Sequence, residues 1–332
     1  MSVSLATNAK SSASLIFTRS LFLWSLCLVT GFGFAAEQNP EKWLSRMAQS
    51  LKNSSYEGVF VYLNGIQLES MRVVRAVDEE GEWERLISLN GKKREIVRNG
   101  RAVTSILPHA RSVVSRDSTQ ESSFPVVLGE SFETLQANYQ FRAGAFDRIA
   151  ERKALQVIVK PRDEYRYGYK LWLDAVTAIP LKVALVNERG FPLEQVMYTQ
   201  FRILDAGSIP SIPELAPSPE GIALEHVESS PSSRMQWVSG ELPDGFSLNS
   251  HSEERMPGSR QKVHHLVFSD GLVKVSAYVE QMGERRGLKG SSRRGSISAF
   301  GLRQEGFQIT VVGEVPLRTV ERIANSIQAP LQ

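Results

Sequence analysis

The sequence predicts an α+β chain in two parts: a larger antiparallel β domain with helical segments, then a smaller α+β domain. Three observations carry this expectation. Short β-like runs follow one another between residues 58 and 204, and neighbours are separated by Asn90–Gly91 and Asn99–Gly100, a dipeptide that suits the tight turns of hairpins. The stretch "DAGSIPSIPELAPSPEG" (205–221), with its four prolines, then breaks the pattern. Proline fixes φ and removes a donor, so this reads as a semi-rigid linker. Beyond it, three strand candidates precede a helical tail.

The chain opens on a targeting pattern. Lys10 and Arg19 are the only charges before Glu37, and the apolar run "LFLWSLCLVTGFGF" (21–34) leads into the small residues of "GFAA" (33–36). That order predicts a secretory signal cleaved after Ala35. The run is shorter than the roughly 20 residues a membrane span needs, and Leu26 before Cys27 is too large for a lipoprotein signal. The whole chain carries 39 Lys and Arg against 36 Asp and Glu. Cleavage removes Lys10 and Arg19 and no acid, so the exported protein is nearly neutral. It also removes Cys27, the only cysteine, which excludes disulfides and thiolate metal sites. The fold then rests on hydrophobic burial, and the remaining length favours two domains.

In "NPEKWLSRMAQSL" (39–51), Trp43, Leu44, Met47 and Leu51 form one apolar stripe, with Asn39 as cap and Pro40 in the first helical position. Strands are expected at "GVFVYL" (58–63), "LESMRVVRAV" (68–77), "EWERLISL" (82–89), "KREIVR" (93–98) and "AVTSIL" (102–107). A helical interruption follows at "VVLGESFETLQANY" (126–139). Strands resume at "ALQVIVK" (154–160), "YRYGYKLWLD" (165–174), "IPLKVALV" (179–186) and "LEQVMYTQFRIL" (193–204), a meander of about nine. In 165–173, Tyr165, Tyr167, Tyr169, Leu171 and Leu173 share one face, with Arg166, Gly168, Lys170 and Trp172 on the other. In 58–63 both faces are apolar, so something covers each side. A sheet packed by helices and a curved sheet around an apolar hollow both satisfy this pattern. The second part carries strand candidates at 263–269, 272–280 and 306–314, and then "PLRTVERIANSIQ" (316–328), where Val320, Ile323, Ala324 and Ile327 make a helical stripe.

No catalytic constellation is present. The chain lacks G-x-S-x-G, H-E-x-x-H, a Gly-rich phosphate loop and EF-hand spacing, so a binding protein without cofactor is expected rather than an enzyme. His264 and His265 are adjacent on a strand and face opposite ways, which disfavours joint metal ligation. The stretch "ERRGLKGSSRRGS" (284–296) concentrates Arg285, Arg286, Lys289, Arg293 and Arg294. Nucleic acid is disfavoured by export and by the lack of interleaved aromatics. A solvated hairpin loop, an acidic peptide partner and anionic lipid headgroups remain, and arginine suits either anion.

The segments "GKKREIVRNG" (91–100), "YKLWLDAVTAIPLKVALVNERGFPLEQ" (169–195), "LPDGF" (242–246), "FSDGL" (268–272), "VVGEVP" (311–316) and "RIANSI" (322–327) resemble, in order, the MucB/RseB family of Gram-negative periplasmic regulators. The resemblance implies a signal peptide over 1–35 and a LolA/LolB-like domain over 37–204: an unclosed antiparallel β-barrel with a helical lid over an apolar cavity. It implies a linker over 205–232 and a partner-binding α+β domain over 233–332. Candidate cavity-lining residues are Tyr56, Phe60, Tyr62, Leu86, Ile96, Leu128, Tyr139, Tyr167, Tyr169 and Met197. The implied function is negative regulation of the envelope-stress sigma factor. The family binds the periplasmic part of a MucA/RseA-like transmembrane anti-sigma factor, shields it from site-1 proteolysis, and is released by lipid or lipopolysaccharide. The five cations then become candidates for contact with the partner or another anion. Self-association is permitted by apolar surfaces and edge strands. The alternative is a periplasmic lipid or lipoprotein carrier of LolA type.

Overall fold

The computed structural model describes residues 39–78, 81–99, 102–107, 112–117, 132–208, 223–226, 229–231, 237–255, 262–282 and 287–328. The predicted signal segment, Leu128, Arg285, Arg286 and most of the proline-rich stretch lie outside these.

Helix α1 (Pro40–Asn53) begins where expected. The Asn39 side chain accepts from the backbone N–H of Glu41 at 2.9 Å and of Lys42 at 3.2 Å, satisfying donors that the first turn leaves free. Its stripe buries Trp43, Leu44 and Met47. Full burial of one such aliphatic side chain contributes about 1.5–3 kcal/mol.

Six strands follow: β1 (Tyr56–Asn64), β2 (Gln67–Asp78), β3 (Gly81–Ser88), β4 (Glu95–Asn99), β5 (Ala102–Leu107) and β6 (Ser112–Asp117). Helix α2 (Phe132–Asn138) leads into β7 (Tyr139–Ile149), β8 (Arg152–Pro161), β9 (Gly168–Asp174), β10 (Pro180–Val186) and β11 (Pro192–Ile203). With β12 (Ala223–His226) these make one sheet in the order β12-β6-β5-β4-β3-β2-β1-β11-β10-β9-β8-β7. All pairs are antiparallel except β12 with β6. The first and last strands of that order do not pair, so the sheet is unclosed.

The second sheet contains β13 (Ser229–Pro231), β15 (Ser247–Arg255), β16 (Lys262–Ser269), β17 (Lys274–Gln281), β18 (Gly290–Arg294), β19 (Ile297–Gln304) and β20 (Phe307–Gly313). Its order is β13-β15-β16-β17-β20-β19-β18. Helix α3 (Leu317–Ser326) buries Val320, Ile323 and Ala324 against it. A two-stranded ribbon, β14 (Val238–Ser239) with β21 (Ile327–Gln328), completes the chain.

Several strands go beyond those expected, among them β6, β7 and β15, for physical reasons. β7 interrupts its own alternation with a bulge between Ala143 and Phe146 and is largely exposed along its second half. β6 and β15 ("SLNSHSEER") are rich in polar residues and carry little apolar periodicity. Tyr165 and Arg166, expected on a strand, instead lie in the connection before β9, which begins at Gly168. Arg166 therefore does not share a strand face with Gly168, Lys170 and Trp172. It is buried.

One hydrophobic cluster runs across both sheets. It joins Tyr169, Leu171, Val157 and Val159 of the first to Phe268, Val275 and Ile309 of the second, with Ile323 from α3 and Leu44 and Met47 from α1.

Candidate functional site

The register of the first sheet decides which side chains share a face, because cross-strand partners point the same way. Phe60 pairs with Met71 and Tyr198, and Tyr62 pairs with Val196. Val196 pairs with Val183, Val183 with Leu171, and Leu171 with Val157. On the other side, Gly58 pairs with Val73, Val73 with Leu86, and Leu86 with Ile96. Tyr56, Phe60, Tyr62, Leu86, Ile96 and Tyr169 therefore belong to one continuous face. Tyr139 joins them at the edge through the β7–β8 register. Met197 pairs with Val61 and Lys182, so it takes the other parity of β11, yet it packs against the same hydrophobic cluster as Tyr56, Phe60 and Leu86. Tyr167 lies just before β9, in the cluster that spans both sheets.

This face is already filled. Tyr56, Phe60, Leu86, Tyr139 and Tyr167 are buried, and rings meet in sequence along β1 and β11. Tyr56 and Phe201 lie 5.5 Å apart, Phe201 and Tyr198 5.2 Å, and Tyr198 and Phe60 5.8 Å between centroids. Gly58 makes room for this ladder, since a Cβ there would sit 2.7 Å from the Tyr198 ring and 2.6 Å from Gln200 O. Burial, and then the charge of Glu84, push the Tyr56 phenol well above its usual range. Glu84 is itself raised by burial, against the pull of Arg98 and Arg75.

The two sheets meet at two polar junctions. In the first, the Arg166 Nε donates to Asp270 Oδ2 at 2.5 Å, and both side chains are fully buried. Arg166 also reaches Asp163 and the backbone oxygen of Asp244. The Tyr139 hydroxyl donates to the same Asp270 oxygen at 2.8 Å. The other Asp270 oxygen accepts from the backbone N–H of Leu272 at 3.0 Å and Val273 at 2.9 Å. The guanidinium lies over the Phe246 ring, 4.8 Å from its centroid. The "LPDGF" and "FSDGL" segments thus converge on Arg166. Burial pulls the guanidinium down, but its bond and charge pairing with Asp270 hold it above its ordinary value.

In the second junction, Tyr62 donates to Glu194 Oε2 at 2.7 Å, and Asn64 donates to Glu194 Oε1 at 3.1 Å. Ser296, in the β18–β19 turn, donates to Glu194 as well. A Cβ at Gly295 would fall 2.5 Å from Asn64 Oδ1, so this turn sits directly on the end of β1. Glu314 faces the same cluster. Although solvent reaches it, burial of its carboxyl and the charge of Glu194 raise it to about 6.

The cationic stretch is not only a loop. Gly290–Arg294 forms β18, the outer strand of the second sheet. Lys289, Arg293 and Arg294 are exposed. Arg293 donates to Gly295 O at 3.1 Å and lies 5.9 Å from the Tyr167 ring centroid. Arg285 and Arg286 fall outside the described residues. Among the described residues no three His, Cys, Asp or Glu side chains converge as a metal site. His264 approaches His251 at 3.3 Å, while His265 meets Ser276 at 3.0 Å and stacks on Tyr278. Sequence reasoning missed Arg166, Asp270 and Glu194. The segments "LPDGF" and "FSDGL" stand out in the sequence, but nothing local says that one buried arginine joins them.

Two family models cover the chain: the MucB/RseB N-terminal domain matches residues 39–220 and the MucB/RseB C-terminal domain residues 231–328. The chain is 32% identical over 292 residues to the sigma factor AlgU regulatory protein MucB of Pseudomonas aeruginosa, covering 86% of this chain and 90% of that one. It is 27% identical over 317 residues to the sigma-E factor regulatory protein RseB of Escherichia coli K12, covering 92% and 98%. Among solved structures it resembles MucB in the Pseudomonas aeruginosa MucA/MucB complex, with a TM-score of 0.68 and 30% identity over 88% of this chain and 99% of that one.

Proposed function

The chain belongs to the MucB/RseB family, and from that premise we propose that it is a periplasmic negative regulator of an envelope-stress sigma factor. It binds the periplasmic part of a MucA/RseA-like anti-sigma factor, shields that segment from site-1 proteolysis, and lets go when lipid or lipopolysaccharide binds. It acts as a binding protein, without a catalytic centre or cofactor. The observation that carries the reading is the likeness to MucB in its complex with MucA, which extends over both sheets.

The physical logic is linkage. A lipid releases the partner only if it binds better to the released state than to the partner-bound state. The Phe60 face supports such a difference. Its candidate residues Tyr56, Phe60, Leu86, Tyr139, Tyr167 and Tyr169 are packed against protein as they stand, so an acyl chain enters only where they part. Tyr139 and Tyr167 also belong to the cluster shared by the two sheets. Opening for lipid therefore disturbs the seam between the sheets. Exposed Lys289, Arg293 and Arg294 supply a cationic surface for an acidic segment of the partner or a phosphorylated headgroup; the candidates Arg285 and Arg286 lie outside the described residues.

The test immobilises the anti-sigma periplasmic segment. Capture of this chain, and slower cleavage of the segment by the site-1 protease once captured, are expected. Capture without any protection removes the shielding role. Absence of capture, together with movement of lipid between vesicles by the chain, makes it a carrier instead.

A further inference from the structure

The first sheet ends in three adjacent loops whose exposed residues have no role in the seam or the ring ladder. The register brings these loops together: Asn64 pairs with both Gln67 and Glu194, Met71 with Ser88, and Val186 with Pro192. The β1–β2 turn, the β3–β4 connection and the β10–β11 connection therefore emerge from one end of the sheet. Their tips are apolar and open to solvent. Ile66 is fully exposed, and Phe191, Leu68 and Leu89 are 65%, 57% and 47% exposed.

Cations stand between these tips. Lys92, Lys93 and Arg189 are exposed, and none takes part in an ion pair among the described residues. Arg94 is matched by Glu69 at 2.6 Å, which leaves Glu188 as the exposed acid of the β10–β11 loop. The β18–β19 turn borders this end through Gly295 and Asn64, adding the exposed Arg293 and Arg294.

We propose that this end of the sheet docks on the surface of an anionic lipid bilayer. Separate apolar tips ringed by lysine and arginine match an interface where side chains enter the headgroup boundary and cations meet phosphates. A rigid protein partner would favour one continuous complementary face, whereas a fluid interface accepts isolated tips from three loops. Docking here sets the chain at a fixed height and orientation over the membrane. The inference stands independently of anti-sigma binding.

Flotation of the exported, purified chain with vesicles tests it. The chain is expected to float with phosphatidylglycerol–phosphatidylethanolamine vesicles at low salt, and not with phosphatidylcholine vesicles or in high salt. The pair Ile66→Ser with Phe191→Ser, and the triple Lys92→Gln, Lys93→Gln, Arg189→Gln, should each reduce the bound fraction roughly tenfold with an unchanged thermal melt. Equal flotation with neutral vesicles, or wild-type flotation of both variants, overturns the proposal. So does flotation that survives Ile66→Ser with Phe191→Ser while capture by the anti-sigma segment is lost, which makes the tips a protein interface. Failure of the unsubstituted chain to float with anionic vesicles, while it is still captured by the anti-sigma segment, refutes the proposal alone and leaves the partner reading standing.

Discussion

The Arg166 guanidinium, held in the connection before β9, and the Asp270 carboxylate, in the β16–β17 turn, form a fully buried ion pair between the two sheets. The pair is saturated by Tyr139, by Asp163, and by the backbone of Asp244, Leu272 and Val273. Taking two charges out of water costs several kcal/mol each, which only close geometry and added hydrogen bonds repay. Removing either Arg166 or Asp270 alone leaves the other at a buried site without its main charge partner.

Arg166→Met strands the Asp270 carboxylate and is expected to cost about 3–5 kcal/mol, read as a lower urea midpoint. Asp270→Asn added to Arg166→Met removes that charge and keeps an acceptor for the Leu272 and Val273 N–H groups. The double variant should recover part of the loss. A double variant that is less stable than the single contradicts the assignment.

Gly58 is required by the ring that passes over it. Gly58→Ala pushes a Cβ into the Tyr198 ring and Gln200 O, an overpacking expected to cost about 1–3 kcal/mol. A thermal melt checks this, and an unchanged midpoint means that the ladder shifts freely.

Glu314 makes the second junction sensitive to acid. Its carboxyl is raised from 4.5 to about 6, by burial first and by Glu194 second. The folded state penalises the charged form, so stability is lower above pH 6 and is regained as pH falls through about 6 towards 4.5. The gain from pH 7.5 to pH 5, measured by urea unfolding, should shrink in Glu314→Gln. An identical pH profile in the variant removes Glu314 from this role.

The cationic strand makes a prediction about salt. Arg293→Ser with Arg294→Ser should weaken binding of the anti-sigma segment roughly three- to tenfold, as exposed charges at an interface rim do, and should flatten its salt dependence. Unchanged affinity and slope return β18 to a solvated edge.

Much of this was legible in the sequence where one residue's neighbours are its chain neighbours. The Asn39–Pro40 cap, the stripe of α1 and the Asn90–Gly91 turn signal concern spacings of a few residues, and the structure keeps α1 and the strands on either side of that turn. Of the two apolar faces of β1, the structure buries Tyr56 and Phe60 and leaves Val59, Val61 and Leu63 half-buried. Met197 takes its own parity in β11 because a single-residue shift moves a side chain to the other face, and the sequence does not display the bulge near Val59 that sets the pairing. Alternation places Arg166 on a strand face opposite the tyrosines only because it extends past the true start of β9. Its partner Asp270 lies 104 residues away, a distance over which no periodicity speaks.

The central claim is that one chain binds an anti-sigma segment and a lipid in mutually weakening fashion. Calorimetric titration of the anti-sigma periplasmic segment into this chain, with and without lipopolysaccharide fragments, tests it most directly. The account predicts saturable binding that weakens as the lipid concentration rises, with the segment weakening lipid binding by the same factor. Segment affinity that stays constant at saturating lipid would contradict it.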